Sequence, residues 1–187
     1  GHAPSRRAAE AWIAAGRLSI NGQTAALGDR ITPDDRVMLD GQPIAFQAPA
    51  LRVLAYHKPV GLIATAQDPQ GRPTIFRNLP SIPGLHSVGR LDLNSEGLLL
   101  LTNDGDLTLH LTHPRYGHRK RYVVHLEGGP ITSTEATSLR RGVALDDGPA
   151  RADEVNIHPK GCEVVLHEGR NRQVRRMLKA IGRDVLR

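Results

Sequence analysis

The seventeen residues from Gly89 to Gly105, GRLDLNSEGLLLLTNDG, constrain this chain more than any other stretch. A charged loop (Arg90, Leu91, Asp92) and a turn (Asn94, Ser95, Glu96, Gly97) lead into four leucines, Leu98 to Leu101. The run closes on Asn103-Asp104-Gly105, residue types that supply turn conformations. A short apolar run bounded by turns predicts a strand, and four leucines together predict one buried on both faces. Asp92 then stands just upstream of a rigid element, the support a reactive carboxylate needs.

A second segment, Glu168 to Gly182 (EGRNRQVRRMLKAIG), has helical periodicity. On a helix, Arg172, Arg175, Arg176 and Lys179 fall at i, i+3, i+4 and i+7, one basic stripe. Val174, Met177, Leu178 and Ile181 repeat the spacing on the other side and predict a core-facing surface. Like charges so placed repel unless anions lie nearby. The formal charge of +6 and pI near 10.1, with Arg far outnumbering Lys, point the same way, to a polyanionic partner. Arg suits bidentate phosphate contacts.

Other chemistries are excluded by what is missing. The single cysteine, Cys162, rules out an internal disulfide and a cysteine-based zinc site. Its expected place is as a small apolar residue in a strand. The nine histidines lack metal-site spacing, so no metal is expected. No apolar run reaches transmembrane length and no signal peptide opens the chain, which predicts a cytoplasmic protein with no membrane partner.

In chain order, Ser5 to Arg17 reads as a helix capped by Ser5, followed by strands at Leu18–Ile20 and Val37–Leu39. Asn21-Gly22 and Asp40-Gly41 mark turns after these strands, the first suited to a tight hairpin. Two arginines in a first helical turn oppose the helix dipole, a cost that phosphates would relieve. Residues 47–51 read as a linker, and a strand follows at Arg52–Tyr56. Thr74–Leu79 predicts a short helix, and Asp106 the cap of a helix ended before Pro114. A basic loop, Arg115 to Arg121, feeds a strand at Tyr122–Leu126, and Thr132–Arg141 predicts a helix stopped by Gly142. Ala152–Ile157 and Cys162–Leu166 read as strands joined by Pro159-Lys160-Gly161.

The Gly89–Gly105 run closely resembles the signature of the RsuA-type ribosomal RNA pseudouridine synthases, and two further stretches match that family: Lys120-Arg121-Tyr122-Val123-Val124, and Gly169-Arg170-Asn171-Arg172-Gln173-Val174-Arg175-Arg176-Met177. His57-Lys58-Pro59-Val60-Gly61 resembles the motif that opens the synthase domain, and the first 46 residues resemble the small RNA-binding module of the ribosomal-protein S-four type. The fold this implies is α+β: the small alpha-L RNA-binding module, residues 1–46, then residues 52–187 as a synthase domain on a mixed, mostly antiparallel sheet. The module normally begins with a further helix. The sequence is therefore expected to lack that helix, and to be cut short within a strand at Val185–Arg187.

The resemblance also implies roles. Asp92 is the catalytic residue, Tyr122 stacks on the target base, and Arg175 pairs with Asp92. Arg90 either fills the space the flipped base leaves in the RNA or is a second ion-pair partner for Asp92. Leu186 packs beneath the uracil. Arg6 and Arg7 on the first helix, together with Lys120, Arg172 and Arg176, are expected to contact RNA. Lys58 is expected at the surface, either facing RNA or simply exposed. The activity implied is isomerisation of one uridine in ribosomal RNA, with the His113-Pro114 pair favouring the large subunit. It needs no redox change and no energy input, so no cofactor is expected, and the partner is ribosomal RNA bound by a monomer. The alternatives are the same reaction on small-subunit RNA and a non-catalytic ribosome-assembly factor on the same fold.

Overall fold

The computed structural model describes residues 6–44 and 50–187. They form two compact units, one comprising residues up to Arg52 with Ser81–Leu85, the other Val53–Pro80 with His86–Arg187.

In the first unit, α1 (Arg6–Ala14) precedes four short strands: β1 (Leu18–Ile20), β2 (Gln23–Thr24), β3 (Val37–Leu39) and β4 (Gln42–Pro43). They make an antiparallel sheet in the order β2-β1-β3-β4. Both tight turns use left-handed pairs, Asn21-Gly22 (φ 51° and 85°) and Asp40-Gly41 (φ 50° and 77°), whose twist matches that of a hairpin. Arg17 Nε donates to Asp40 Oδ1 at 2.9 Å, fixing the second turn. Arg6 and Arg7 are exposed on α1. The expected Ser5 cap and most of the expected linker lie outside the described residues.

The second unit opens with β5 (Val53–Lys58), followed by a 3₁₀ turn at Ile75–Asn78, β6 (His86–Ser87) and β7 (Gly97–Thr102). Next come α2 (Gly105–Thr112), a 3₁₀ turn at Pro114–Tyr116, β8 (Lys120–His125) and α3 (Ser133–Arg141). A ribbon of β9 (Val143–Leu145) and β10 (Gly148–Ala150) precedes β11 (Glu154–His158), β12 (Gly161–Leu166) and α4 (Gln173–Ala180). Two antiparallel sheets result, ordered β5-β7-β6 and β11-β12-β8. Val124, Leu126, Cys162, Val164 and Leu166 on the second sheet pack with Ala136 and Leu139 of α3 and Met177 and Leu178 of α4. The chain end is a further edge: the His125 amide donates to Arg187 O at 2.7 Å, and the Leu186 amide to His125 O at 2.9 Å.

Three local expectations are corrected. The leucine run is not buried on both faces: Leu99 and Leu101 are buried, whereas Leu98 is 70% exposed. Antiparallel strands put alternate residues on opposite faces, and one face here is open to solvent at the strand's start. The cap of α2 is Asp104, whose Oδ1 accepts from the amides of Asp106 (2.9 Å) and Leu107 (3.0 Å). It precedes Gly105, so the helix begins earlier than a cap at Asp106 would allow. Arg172 stands outside α4, in a left-handed conformation (φ 49°) at its start, and so leaves the basic stripe.

Candidate active site

Lys58 ends β5, paired across the ladder with Gly97 at the start of β7. The Asp92 loop returns to this point. Lys58 is 0% exposed, and its Nζ donates to Ser95 O (2.7 Å), Asp92 O (2.9 Å) and Pro59 O (3.0 Å). An ammonium has three protons, and here each has an acceptor. The expectation of a surface lysine is therefore wrong. The charge is satisfied inside, where a phosphate has no access to it.

Two other groups complete the support. Gly61, at φ 83°, takes a conformation costly to side-chain-bearing residues, and its amide donates to Leu93 O at 2.8 Å. Arg175 Nη2 reaches Asn94 O at 3.0 Å while its Nη1 holds Val185 O at 3.2 Å. The Ser95 amide also donates to Asp92 O, at 3.0 Å. All four consecutive carbonyls from Asp92 to Ser95 thus accept a hydrogen bond. Each bond removes freedom from the backbone that carries the Asp92 side chain.

The expected ion pair between Arg175 and Asp92 is not formed: Asp92 makes no ion pair among the described residues, and the Arg175 guanidinium is spent on two carbonyls. The cation beside Asp92 is Lys58. Burial pulls the Lys58 pKa down, and the carboxylates of Asp92 and Glu96 oppose that shift. Tyr122 is half-buried on β8, and its phenol pKa is pushed up by burial first and by Asp92 second. Asp92 is therefore near enough to both the Lys58 ammonium and the Tyr122 phenol for its charge to act on them. Glu96 pairs with Arg187 at the chain end.

The other singled-out residues are spread around this centre. Arg90 is exposed and makes no ion pair among the described residues, so the alternative of a second partner for Asp92 is not realised. Leu186 is 67% exposed. Arg172 is exposed, and Lys120 is half-buried at the start of β8. Arg176 is occupied: it pairs with Asp146 and, at 2.8 Å, with Asp147, and these hydrogen bonds push its pKa up. A phosphate would have to displace both carboxylates. Cys162 is fully buried in β12, with burial pushing its thiol up to about 11. No group of three or more metal-ligating side chains occurs among the described residues. Sequence reasoning missed the Lys58 clamp and the β9–β10 ribbon that brings Asp146 and Asp147 to Arg176. The Asp146-Asp147-Gly148 turn between short apolar runs was the available signal for the ribbon.

A loop-borne carboxylate on a clamped backbone, electrostatically coupled to a tyrosine on another sheet, defines a candidate enzyme site in an α+β chain. The RNA pseudouridylate synthase family matches residues 52–180, and the S4 domain family matches residues 1–37. The chain belongs to the RNA pseudouridylate synthase family. It is 42% identical over 194 residues to a protein of Pseudomonas aeruginosa named ribosomal large subunit pseudouridine synthase B, a match covering 98% of this chain and 50% of that protein. A protein of the same name from Vibrio cholerae is 44% identical over 196 residues, covering 98% and 60%. The Salmonella typhi one is 43% identical over 195 residues, covering 98% and 67%. The chain thus spans about half to two thirds of the length of these relatives. A solved structure described as a pseudouridylate synthase superposes with a TM-score of 0.68 at 27% identity, covering 97% of this chain and 80% of that one.

Proposed function

We propose that this chain isomerises one uridine of large-subunit ribosomal RNA to pseudouridine, with Asp92 acting on the nucleoside. The observation that carries the reading is Asp92 on a loop whose carbonyls Lys58 clamps, with its charge acting on both Lys58 and Tyr122. The large subunit is preferred over the small because the relatives above are named for it.

The reaction breaks the bond from ribose C1′ to N1, turns the uracil, and joins C1′ to C5. The C5 proton leaves and N1 gains one, so atoms balance with no redox step and no cofactor. Asp92 must be ionised to serve as nucleophile or base. Taking the uridine out of its stack costs a few kcal/mol. Stacking on Tyr122 returns about 1–3 kcal/mol of it. Arg90, exposed two residues before Asp92, fills the space the base vacates, and Leu186 supplies an apolar surface for the uracil.

Residues 1–46 act as the RNA-binding module, joined by residues 47–51 to the catalytic domain that begins at residue 52. Arg6 and Arg7, with Lys120 and Arg172, contact phosphates and set the position of the RNA. The protein works as a monomer in the cytoplasm, where its RNA substrate is made. The test is pseudouridine mapping of ribosomal RNA from cells lacking the protein. One large-subunit position is expected to revert to uridine. An unchanged map would refute the activity, and loss at a small-subunit position would correct the substrate.

A further inference from the structure

The segment between α2 and β8 has no part in the reading above. From Leu107 through Leu126 the chain has no Asp or Glu, yet it carries Arg115, Arg119, Lys120, Arg121 and four histidines. Several of these side chains gather in one pile. The His110 ring meets the Tyr116 ring at 4.2 Å and the His118 ring, edge-on, at 5.0 Å. The Arg115 guanidinium lies over the Tyr116 ring, 4.6 Å from its centre, and its Nη2 donates to the phenol oxygen at 2.6 Å. The backbone beneath is fixed: His113 Nδ1 accepts from the Arg115 amide at 3.2 Å, and Gly117 ends the turn at φ 62°.

Rings that pack this closely usually form part of a core, but these do not. Tyr116 is 39% exposed, and His110, His113 and Arg115 are exposed with it. The charges are not equivalent either. Arg119 and Arg121 are matched by Glu154 and Glu163, whereas Arg115 makes no ion pair among the described residues. The Nε2 atom of His118 is buried with no hydrogen-bond partner among the described residues. Exposed rings beside an unmatched guanidinium are what an unpaired nucleotide requires, one part for its base and the other for its phosphate.

From these contacts we infer that the His110–Tyr116–Arg115 pile binds an unpaired nucleotide of the substrate RNA, at a site distinct from that of the target uridine. The base stacks on the exposed Tyr116–His110 rings and a phosphate meets Arg115. The two places use different rings: the pile's belong to α2 and the turn after it, whereas the ring proposed for the target uridine, Tyr122, stands on β8. The pile is an anchor that fixes register. This rests on the RNA-modifying reading, but its test reads binding alone.

The full chain is titrated against a fluorescein-labelled single-stranded RNA 12-mer and against a fully paired hairpin of similar length. Tyr116→Ala is expected to weaken single-strand binding by about 5- to 150-fold, the loss of one base–aromatic stack. Tyr116→Phe should bind like wild type, and hairpin binding should hold in both variants. Arg115→Ala should flatten the single-strand plot of log affinity against log salt by about 0.7. Should Tyr116→Ala fail to fold, wild-type protein photocrosslinked to a 5-iodouridine strand is expected to be labelled at Tyr116 or His110. Unchanged single-strand affinity in a folded Tyr116→Ala protein, equal losses on both RNAs, or crosslinks only elsewhere would overturn the inference. Protein that binds as expected yet forms no pseudouridine would instead overturn the activity and leave the anchor standing.

Discussion

Replacing Lys58 by Met tests how the Asp92 loop is held. Met keeps the unbranched apolar stem, so the change is confined to the ammonium. Without it, Pro59 O and Ser95 O lose their donor, while Asp92 O keeps the Ser95 amide. An orphaned buried acceptor costs about 1–3 kcal/mol, and two would cost about 2–6. Relief of the ammonium's own burial, the same effect that lowers its pKa, offsets part of this. A net loss of about 1–3 kcal/mol corresponds to a fall in Tm of about 2–12 °C for a chain of this size. Displacing a catalytic group by about 1 Å can cost about 100-fold. Single-turnover kcat should fall on that order, with KM for RNA within a few-fold of wild type. Lys58→Arg should not rescue, because a planar fork cannot meet three convergent carbonyls. Wild-type kcat in a folded Lys58→Met protein would refute the claim that this clamp positions Asp92.

Three other outcomes are expected. Cys162 binds its proton more tightly folded, near 11, than unfolded, near 9. Stability should therefore fall as pH rises through that window, by up to about 3 kcal/mol, and denaturant titrations of Cys162→Ala should lack this slope. Gly161→Ala would drive a methyl group into Val124 O and the Leu126 backbone, and should lower stability by about 1–3 kcal/mol or more in a thermal melt. Arg6→Ala combined with Arg7→Ala should raise KM for RNA and flatten the salt slope by about 0.7–0.9 per lost contact, leaving kcat nearly intact. Normal RNA binding by that double variant would remove the first unit from the recognition surface.

The features legible in the sequence were those with strictly local causes. Asn21-Gly22 and Asp40-Gly41 specify left-handed turns by residue type, and the alternation of Val124, Leu126, Cys162, Val164 and Leu166 marks one face of a sheet. The α4 core face was legible because Met177 and Leu178 recur at helical spacing. The resemblance located Asp92 and Tyr122, but the contacts around them depend on long-range geometry. Lys58 joins residues 34 and 37 positions away, and Arg175 reaches 81 positions to Asn94. No periodicity in a sequence encodes such a meeting. Charge alone was also a poor guide to exposure. Lys58 is buried because three carbonyls await it, and Arg176 is neutralised by a hairpin turn whose ribbon was not foreseen.

The most direct test of the account is pseudouridine formation by Asp92→Asn under single-turnover conditions, with RNA affinity measured on the same protein. Asn is isosteric and leaves the loop's carbonyl bonds in place, so RNA should bind within a few-fold of wild type. Pseudouridine formation should be abolished, because a neutral amide can act neither as nucleophile nor as base. Conversion near the wild-type rate would contradict the central claim that the Asp92 carboxylate carries the chemistry.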